Sequence, residues 1–483
     1  MHGIFFLQAV PYLYNVLQQS LKQIATRKEP VTQSGFFSVY QVKRYLQIII
    51  KQSTLNHFYM KLKRRDFITL SAIAGVTGIT GGMTSCTSNP QTKRAETNDL
   101  PSMTGDVVPI SLQEIEARIE KAQRLLTEQK IEALVLDAGT SLKYFTGISW
   151  SPSERPMVAV IPAKGTVRYV CPGFEESRLR ERIKTGKDVY AWQEDESPYK
   201  GIAAACKDAG ILSGNVGIEE RLRFFILDGI RKEAPHLNYV SGDPVTIPCR
   251  MIKSTAELAL MQKANDITSA AIKWGVSRLQ EGMTQGDLSA IITDAQQKYG
   301  GASADALVLF GESSAFPHGS LKPQTLKKGD IVLMDCGCAI EHYISDITRT
   351  VVFGEATKRQ REVWNLEQRA QAAGFKAANT GTPCEAVDAA ARKVITEGGF
   401  GPGYKLPGLP HRTGHGIGMD GHEWGNMVKG NTQILQPGMC FSIEPNISIP
   451  GEFGVRLEDC VYMTEQGPKW FSQPAKSISE PFA

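Results

Sequence analysis

The chain has no cysteine framework. Its nine cysteines in 483 residues are odd in number and scattered, which excludes a disulfide scaffold. Cys336 and Cys338 form the only close pair, on one face of a strand with Gly337 on the other, and no second pair completes a thiolate zinc site. Long apolar runs are missing too: residues 4–17 are few and contain Pro11, and residues 67–83 carry Gly75, Gly78, Gly81 and Gly82, so neither makes a stable spanning helix. A general basic excess is also lacking. The net charge is +4, but residues 1–85 hold 10 Lys/Arg against 2 acidic residues, leaving 44 basic against 48 acidic residues for the remainder. That balance argues against a nucleic-acid surface. Histidine is scarce, with eight in all, yet three fall between positions 411 and 422.

The basic excess belongs to a leader. Lys61, Lys63, Arg64 and Arg65 precede Phe67 and the weakly apolar stretch to Met83, a layout that resembles a twin-arginine export signal. Met83-Thr84-Ser85-Cys86 resembles an imperfect lipoprotein box, with Cys86 as a candidate lipid acceptor. The expected location is periplasmic or membrane-anchored. With Met60 opening the signal (60–86), residues 1–59 read as an upstream extension, a misassigned start being the plain explanation.

Residues 87–110 are rich in Ser, Thr, Asn and Pro and read as a flexible linker. Ser111 then caps a helix, with Glu114 placed to complete a capping box and Ile115, Ile119, Ala122 and Leu126 on its apolar side. Ala133-Leu134-Val135-Leu136 reads as a buried strand, and alternating elements to about Pro248 predict an α/β domain over 111–250. Ser254 and Glu257 form a second capping box, opening a domain over 251–483 whose first helix turns Leu258, Met261, Ala264 and Ala271 inward.

Two strand-like segments carry paired acids. Residues 330–335 and 343–352 predict a hairpin; with its turn centred between Ile340 and Glu341, Asp335 and Asp346 sit directly opposite. Opposed carboxylates destabilise a sheet unless a cation lies between them, so a metal site is one reading and an exposed acidic pair the other. Glu444 and Glu458 lie equally far from Gly451, so a second, looser hairpin places them together. Four carboxylates and one imidazole suit hard-to-borderline divalent ions such as manganese, cobalt, iron or zinc. The imidazole comes from the stretch holding His411, His415 and His422, where the glycines flanking His415 let the backbone approach closely.

Phe316-Pro317-His318-Gly319, Asp335 through Ser345-Asp346-Ile347-Thr348-Arg349-Thr350, Gly414-His415-Gly416-Ile417-Gly418, Ile443-Glu444-Pro445 and Arg456-Leu457-Glu458-Asp459 together resemble the catalytic domain of the methionine aminopeptidase and Xaa-Pro peptidase superfamily, metallopeptidase family M24, across about 252–470. The two-domain layout is similar to that of the proline-specific peptidases and creatinase. The resemblance implies a creatinase-like α/β N-terminal domain followed by an α+β pita-bread catalytic domain, and a homodimer. It implies two divalent ions, manganese first with cobalt, zinc or iron as alternatives. Asp335 would bind one, Asp346 and Glu458 would bridge, and His415 with Glu444 would complete the other. Glu444 would shuttle a proton, His318 and His422 would orient substrate or its tetrahedral intermediate, His411 would face the proline side, and Arg456 would organise Glu458. Hydrolysis before proline, releasing the N-terminal residue, is the expected activity. The alternatives are a metal-dependent hydrolase or lyase of a small non-peptide substrate, and a catalytically silent peptide-binding module.

Overall fold

A computed structural model describes residues 100–482. The leader, Cys86 and the first part of the linker lie outside the described residues. The remainder of the linker is not a free tether. Leu100, Met103, Val107 and Ile110 pack against hydrophobic clusters, and the Met103 amide donates to the Tyr299 carbonyl at 2.8 Å. The apolar residues set among its Ser and Pro outweigh that composition.

The helix Leu112–Glu128 buries Ile115, Ile119, Ala122 and Leu126 as its 3.6-residue period demands, and Ser111 Oγ accepts from the Glu114 amide at 3.1 Å. The expected capping box is only half formed. Glu114 turns its carboxylate to Arg118 (2.9 Å) and to the Ser254 hydroxyl (2.6 Å), because a buried guanidinium is a stronger partner than an exposed amide. The box at Ser254 and Glu257 is complete, opening the helix Thr255–Val276; there Leu260 is buried while Leu258 is only partly so.

Strands β1 (Ile131–Asp137), β2 (Val158–Pro162), β3 (Arg168–Pro172), β4 (Asp188–Trp192), β5 (Asn215–Ile218) and β6 (Asn238–Ser241) form one mixed sheet ordered β4-β3-β2-β1-β5-β6. β1 is central and covered on both faces. Leu134 and Leu136 enter one core cluster and Ala133 and Val135 another, which is why its sequence reads as a continuous apolar run rather than an alternation.

The C-terminal part has two antiparallel sheets. Strands β7 (Ala302–Phe310), β8 (Ile331–Ile340), β9 (Tyr343–Ile344) and β10 (Ile347–Val352) form the first, ordered β10-β8-β7 with β9 on β8. Strands β11 (Gly414–Gly416), β12 (Glu423–Met427), β13 (Cys440–Ile443), β14 (Asn446–Ile449), β15 (Phe453–Arg456), β16 (Asp459–Thr464) and β17 (Gly467–Trp470) build the second, ordered β12-β11-β13-β16-β17, and a separate β14–β15 hairpin. The helices Thr255–Val276 and Gln285–Tyr299 contact β8 and β7, and Lys358–Ala377 and Cys384–Glu397 contact β13 and β12, so each half repeats a pattern of two helices on a sheet. The halves join where Thr348 and Glu458 exchange backbone hydrogen bonds of 3.3 and 3.2 Å. Arg118 links the N-terminal module to this part: it donates to Tyr343 Oη at 3.0 Å, and Tyr343 donates to Glu257 at 2.8 Å.

Candidate metal centre

Registers decide which carboxylates meet. In the β8–β10 ribbon Asp335 pairs with Thr348, Cys336 with Ile347 and Ile340 with Tyr343, so the turn residues are Glu341 and His342, at φ 48° and 72°. The expected register is therefore corrected: Asp346 lies across from Gly337, diagonal to Asp335 rather than opposite it. The physical reason is the turn. Two positive φ angles are strained for a β-branched residue, and Ile340 is buried, whereas exposed Glu341 and His342 can take them. Gly337 leaves room beside Asp346, since a Cβ there would stand 2.4 Å from the Ser345 carbonyl oxygen. Asp335, Gly337, Asp346 and Thr348 thus share one face.

The second acidic pair follows the expected symmetry about Gly451. Asn446 pairs with Arg456 in β14–β15 and Ile443 with Asp459 in β13–β16, in one continuous register that sets Glu444 across from Glu458 at the break between the two ladders. β11 slides between β12 and β13 because its ends are glycine. A Cβ at Gly414 would lie 1.9 Å from the Ser442 oxygen, and one at Gly416 1.7 Å from the Trp424 oxygen. The amide of His415, between them, donates to the Ser442 hydroxyl oxygen (3.0 Å). The His415 Nδ1 lies 3.1 Å from the Gly416 carbonyl, which can only accept, so Nδ1 carries the proton and Nε2 faces the acids. Nε2 is 3.2 Å from Glu444 Oε1 and 3.7 Å from Asp346 Oδ2.

Arg456 closes the acidic side. Its guanidinium bonds Asp335 Oδ2, donates to Thr348 Oγ1 (3.1 Å) and to the Pro317 carbonyl (3.2 Å), and lies 3.9 Å from Glu458. With every arm committed, it orders the site rather than reaching into it. Thr348 Oγ1 in turn donates to Glu458 Oε2 at 2.6 Å. The Pro317 contact anchors the loop that bears exposed His318. The His422 ring lies 4.1 Å from that of His415. His411 gives Nδ1–H to the Arg412 carbonyl at 2.7 Å, and its buried Nε2 has no protein partner.

The electrostatics call for a cation. Burial, reinforced by the surrounding carboxylates, raises the pKa values of Asp346 and Glu458 well above the carboxylate range. Burial also opposes ionisation of Glu444, but the hydrogen bond and charge of His415, with His411 and Arg456 behind them, bring it down to about 2. For His415, burial is outweighed by Glu444 and Asp346, which raise it. One imidazole and one guanidinium thus do not neutralise this many acids. Donor atoms of Asp346, His415 and Glu458 all lie within 4.8 Å of one another, with Glu444 at His415 and Asp335 at Arg456 flanking them. A set of oxygens with one nitrogen fits hard-to-borderline divalent ions.

Two supporting residues carried no signal in the sequence, and Thr348 entered only within a motif, with no role of its own. Ser442 is a hydroxyl within a strand, indistinguishable there from ordinary β residues. Asp388 reaches from the helix Cys384–Glu397 to accept from the Thr413 amide (3.2 Å) and hydroxyl (2.7 Å), fixing the entry to β11.

Comparison with known proteins agrees with this geometry. Residues 259–465 match the model of metallopeptidase family M24, and residues 118–252 that of the creatinase/prolidase N-terminal domain. An uncharacterized peptidase of Staphylococcus aureus is 32% identical over 353 residues, 72% of this chain and 97% of that protein. The crystal structure of a dipeptidase from Mycobacterium ulcerans aligns with a TM-score of 0.70 at 30% identity, covering 76% of this chain and 97% of that one. A structure of an Xaa-Pro dipeptidase from Bacillus anthracis aligns with a TM-score of 0.66 at 26% identity, covering 74% and 97%.

Proposed function

From its membership of metallopeptidase family M24, to which this two-domain chain of creatinase-like module and pita-bread catalytic domain belongs, we propose that it hydrolyses the bond before proline and releases the N-terminal residue. The observation that carries the reading is the convergence of Asp346, His415 and Glu458 on one point, with Asp335 and Glu444 beside them. Asp335, Asp346, His415, Glu444 and Glu458 would hold two divalent ions, with manganese as the first candidate. Bound ions would polarise the scissile carbonyl and lower the pKa of an attacking water.

The residues of the chain supply the rest. Glu444, held ionised by His415, can take the proton of the attacking water and pass it to the departing proline nitrogen. His422, pushed down to about 4 by burial and by the neighbouring charges of His415 and Arg412, is neutral near pH 7 and can donate one hydrogen bond to the carbonyl oxygen as charge develops there. His318 would help to orient the substrate. His411, lowered by burial, keeps Nε2 free for the proline half of the substrate. Arg456 sets Asp335 and, through Thr348, Glu458.

Two of the similar structures are named as dipeptidases, so Xaa-Pro dipeptides are the first substrates to try and Xaa-Pro-Yaa tripeptides the second. Turnover of Xaa-Pro with none of Xaa-Ala supports proline specificity; equal turnover of both refutes it. The proposal includes export directed by Arg64 and Arg65, lipid attachment at Cys86 and a homodimer as the working form.

A further inference from the structure

Six residues, Gly418 to Glu423, form the loop that presents His422, and two separate anchors hold it. The inner anchor is buried. Glu423 pairs with Lys253 (2.7 Å) and Arg250 (2.6 Å) and also accepts the amides of Met419 (3.1 Å) and Asp420 (3.3 Å), so one carboxylate gathers both ends of the turn. Gly418 is needed there, because a Cβ would stand 2.7 Å from Glu423 Oε2. The outer anchor comes from the N-terminal module. Asp420 Oδ1 receives the Thr140 hydroxyl at 2.8 Å and the Arg221 guanidinium at 2.9 Å, while its other oxygen takes Arg250 at 2.6 Å. Arg221 also reaches the His422 carbonyl at 3.5 Å, and Glu220 beside it receives the Trp424 indole N–H at 2.9 Å.

We propose that Arg221 is a positioning residue for peptide hydrolysis, acting through Asp420 and the His422 backbone to hold the His422 ring over the metal centre. The N-terminal module thereby takes part in the reaction without touching substrate. The inference rests on the role given to His422 above. The two anchors divide the work by burial. Arg250 and Lys253 are 2% exposed and belong to the folded core, whereas the Arg221 side chain is 49% exposed. A half-exposed ion pair contributes little to stability. The placement of a catalytic group is far more sensitive, since a displacement of about 1 Å can cost on the order of 100-fold in rate. Removing Arg221 leaves Asp420 bonded to Arg250 and Thr140, so the loop persists but loses its outer restraint.

The test uses the full-length, manganese-loaded chain in four forms: Arg221→Ala, Arg221→Lys, His422→Ala and the Ala/Ala double variant. Each is assayed for kcat and KM on an Xaa-Pro dipeptide and for Tm. The expected result is a kcat for Arg221→Ala lower by about 10-fold, a nearly unchanged Tm, partial recovery in Arg221→Lys, and no further loss when Arg221→Ala is added to His422→Ala. The same fractional loss from Arg221→Ala in both backgrounds, with His422→Ala impaired, overturns the clamp and leaves the role of His422 standing. Full activity in His422→Ala overturns both. Wild-type kcat in Arg221→Ala overturns the clamp alone.

Discussion

Asp346→Asn separates the metal centre from ordinary folding because it should move stability and activity in opposite directions. Asp346 and Glu458 bring donor oxygens within 4.8 Å of each other. At that separation, and at an effective dielectric constant of about 20, two full charges repel by about 3 kcal/mol. The chain can relieve this by binding a cation or by keeping a proton, and burial, reinforced by the neighbouring carboxylates, holds both groups well above the carboxylate range. An amide of the same shape removes the repulsion. Chelated Asp346→Asn should therefore be as stable as the chelated wild type at pH 8, or more stable by up to about 3 kcal/mol. In the metal-loaded state the order should reverse, because an amide replaces a charged oxygen ligand with a neutral, weaker one. Activity should fall by about 1,000-fold or more, equivalent to about 4 kcal/mol on the barrier. Urea denaturation with and without chelator, metal analysis and Xaa-Pro hydrolysis on purified protein read all three quantities. Full metal occupancy with near-wild-type turnover would refute the reasoning, as would an Asn variant that is markedly less stable than wild type under chelation.

Three further outcomes are expected. Since Asp346 and Glu458 hold protons more tightly than ordinary carboxylates, metal binding near pH 7 should release protons, seen as a titration heat that scales with buffer ionisation enthalpy; independence of buffer contradicts the crowded site. Burial opposes the charge on Glu423, but Lys253 and Arg250 hold its pKa down to about 2 from an ordinary 4.5, so its stabilisation, at most about 3 kcal/mol, is complete above pH 4.5 and lost as pH falls towards 2. The stability gap between wild type and Glu423→Gln should accordingly narrow across that window, and a constant gap would count against the buried pair. Replacing Arg64 and Arg65 with lysine should retain the protein in the cytoplasm, and undiminished export removes the twin-arginine reading.

How much was legible before the fold was in view depended on what marked each turn. Gly451 stands at the centre of the β14–β15 hairpin, and glycine announces a turn, so the symmetry of Glu444 and Glu458 could be counted outward from it. No glycine marks the β8–β9 turn. Counting could not tell whether Ile340-Glu341 or Glu341-His342 would take positive φ, and a shift of one residue at the turn moves the pairing partner of Asp335 by two, from Asp346 to Thr348. The Ser111 cap was readable, but the diversion of Glu114 to Arg118 was not, because that partner becomes attractive only once Arg118 is buried against Tyr343. The same holds for the contacts that close the site. Arg456 touches Asp335, Thr348 and Pro317 over 108 or more positions of sequence separation, and nothing local encodes such contacts. The part played by the N-terminal module was equally hidden. Its contribution lies in Thr140 and Arg221, two ordinary polar residues that matter only through Asp420.

The central claim is that these five side chains hold divalent metal for hydrolysis before proline. The most direct measurement is to strip the purified chain with chelator, reload it with manganese, count the bound ions and follow release of the N-terminal residue from an Xaa-Pro dipeptide at each step. Two ions per chain, activity lost on stripping and restored on reloading, and no turnover of the matched Xaa-Ala dipeptide are the expected results. Hydrolysis that survives complete metal removal, or a fully reloaded chain that leaves Xaa-Pro peptides intact, would contradict the account.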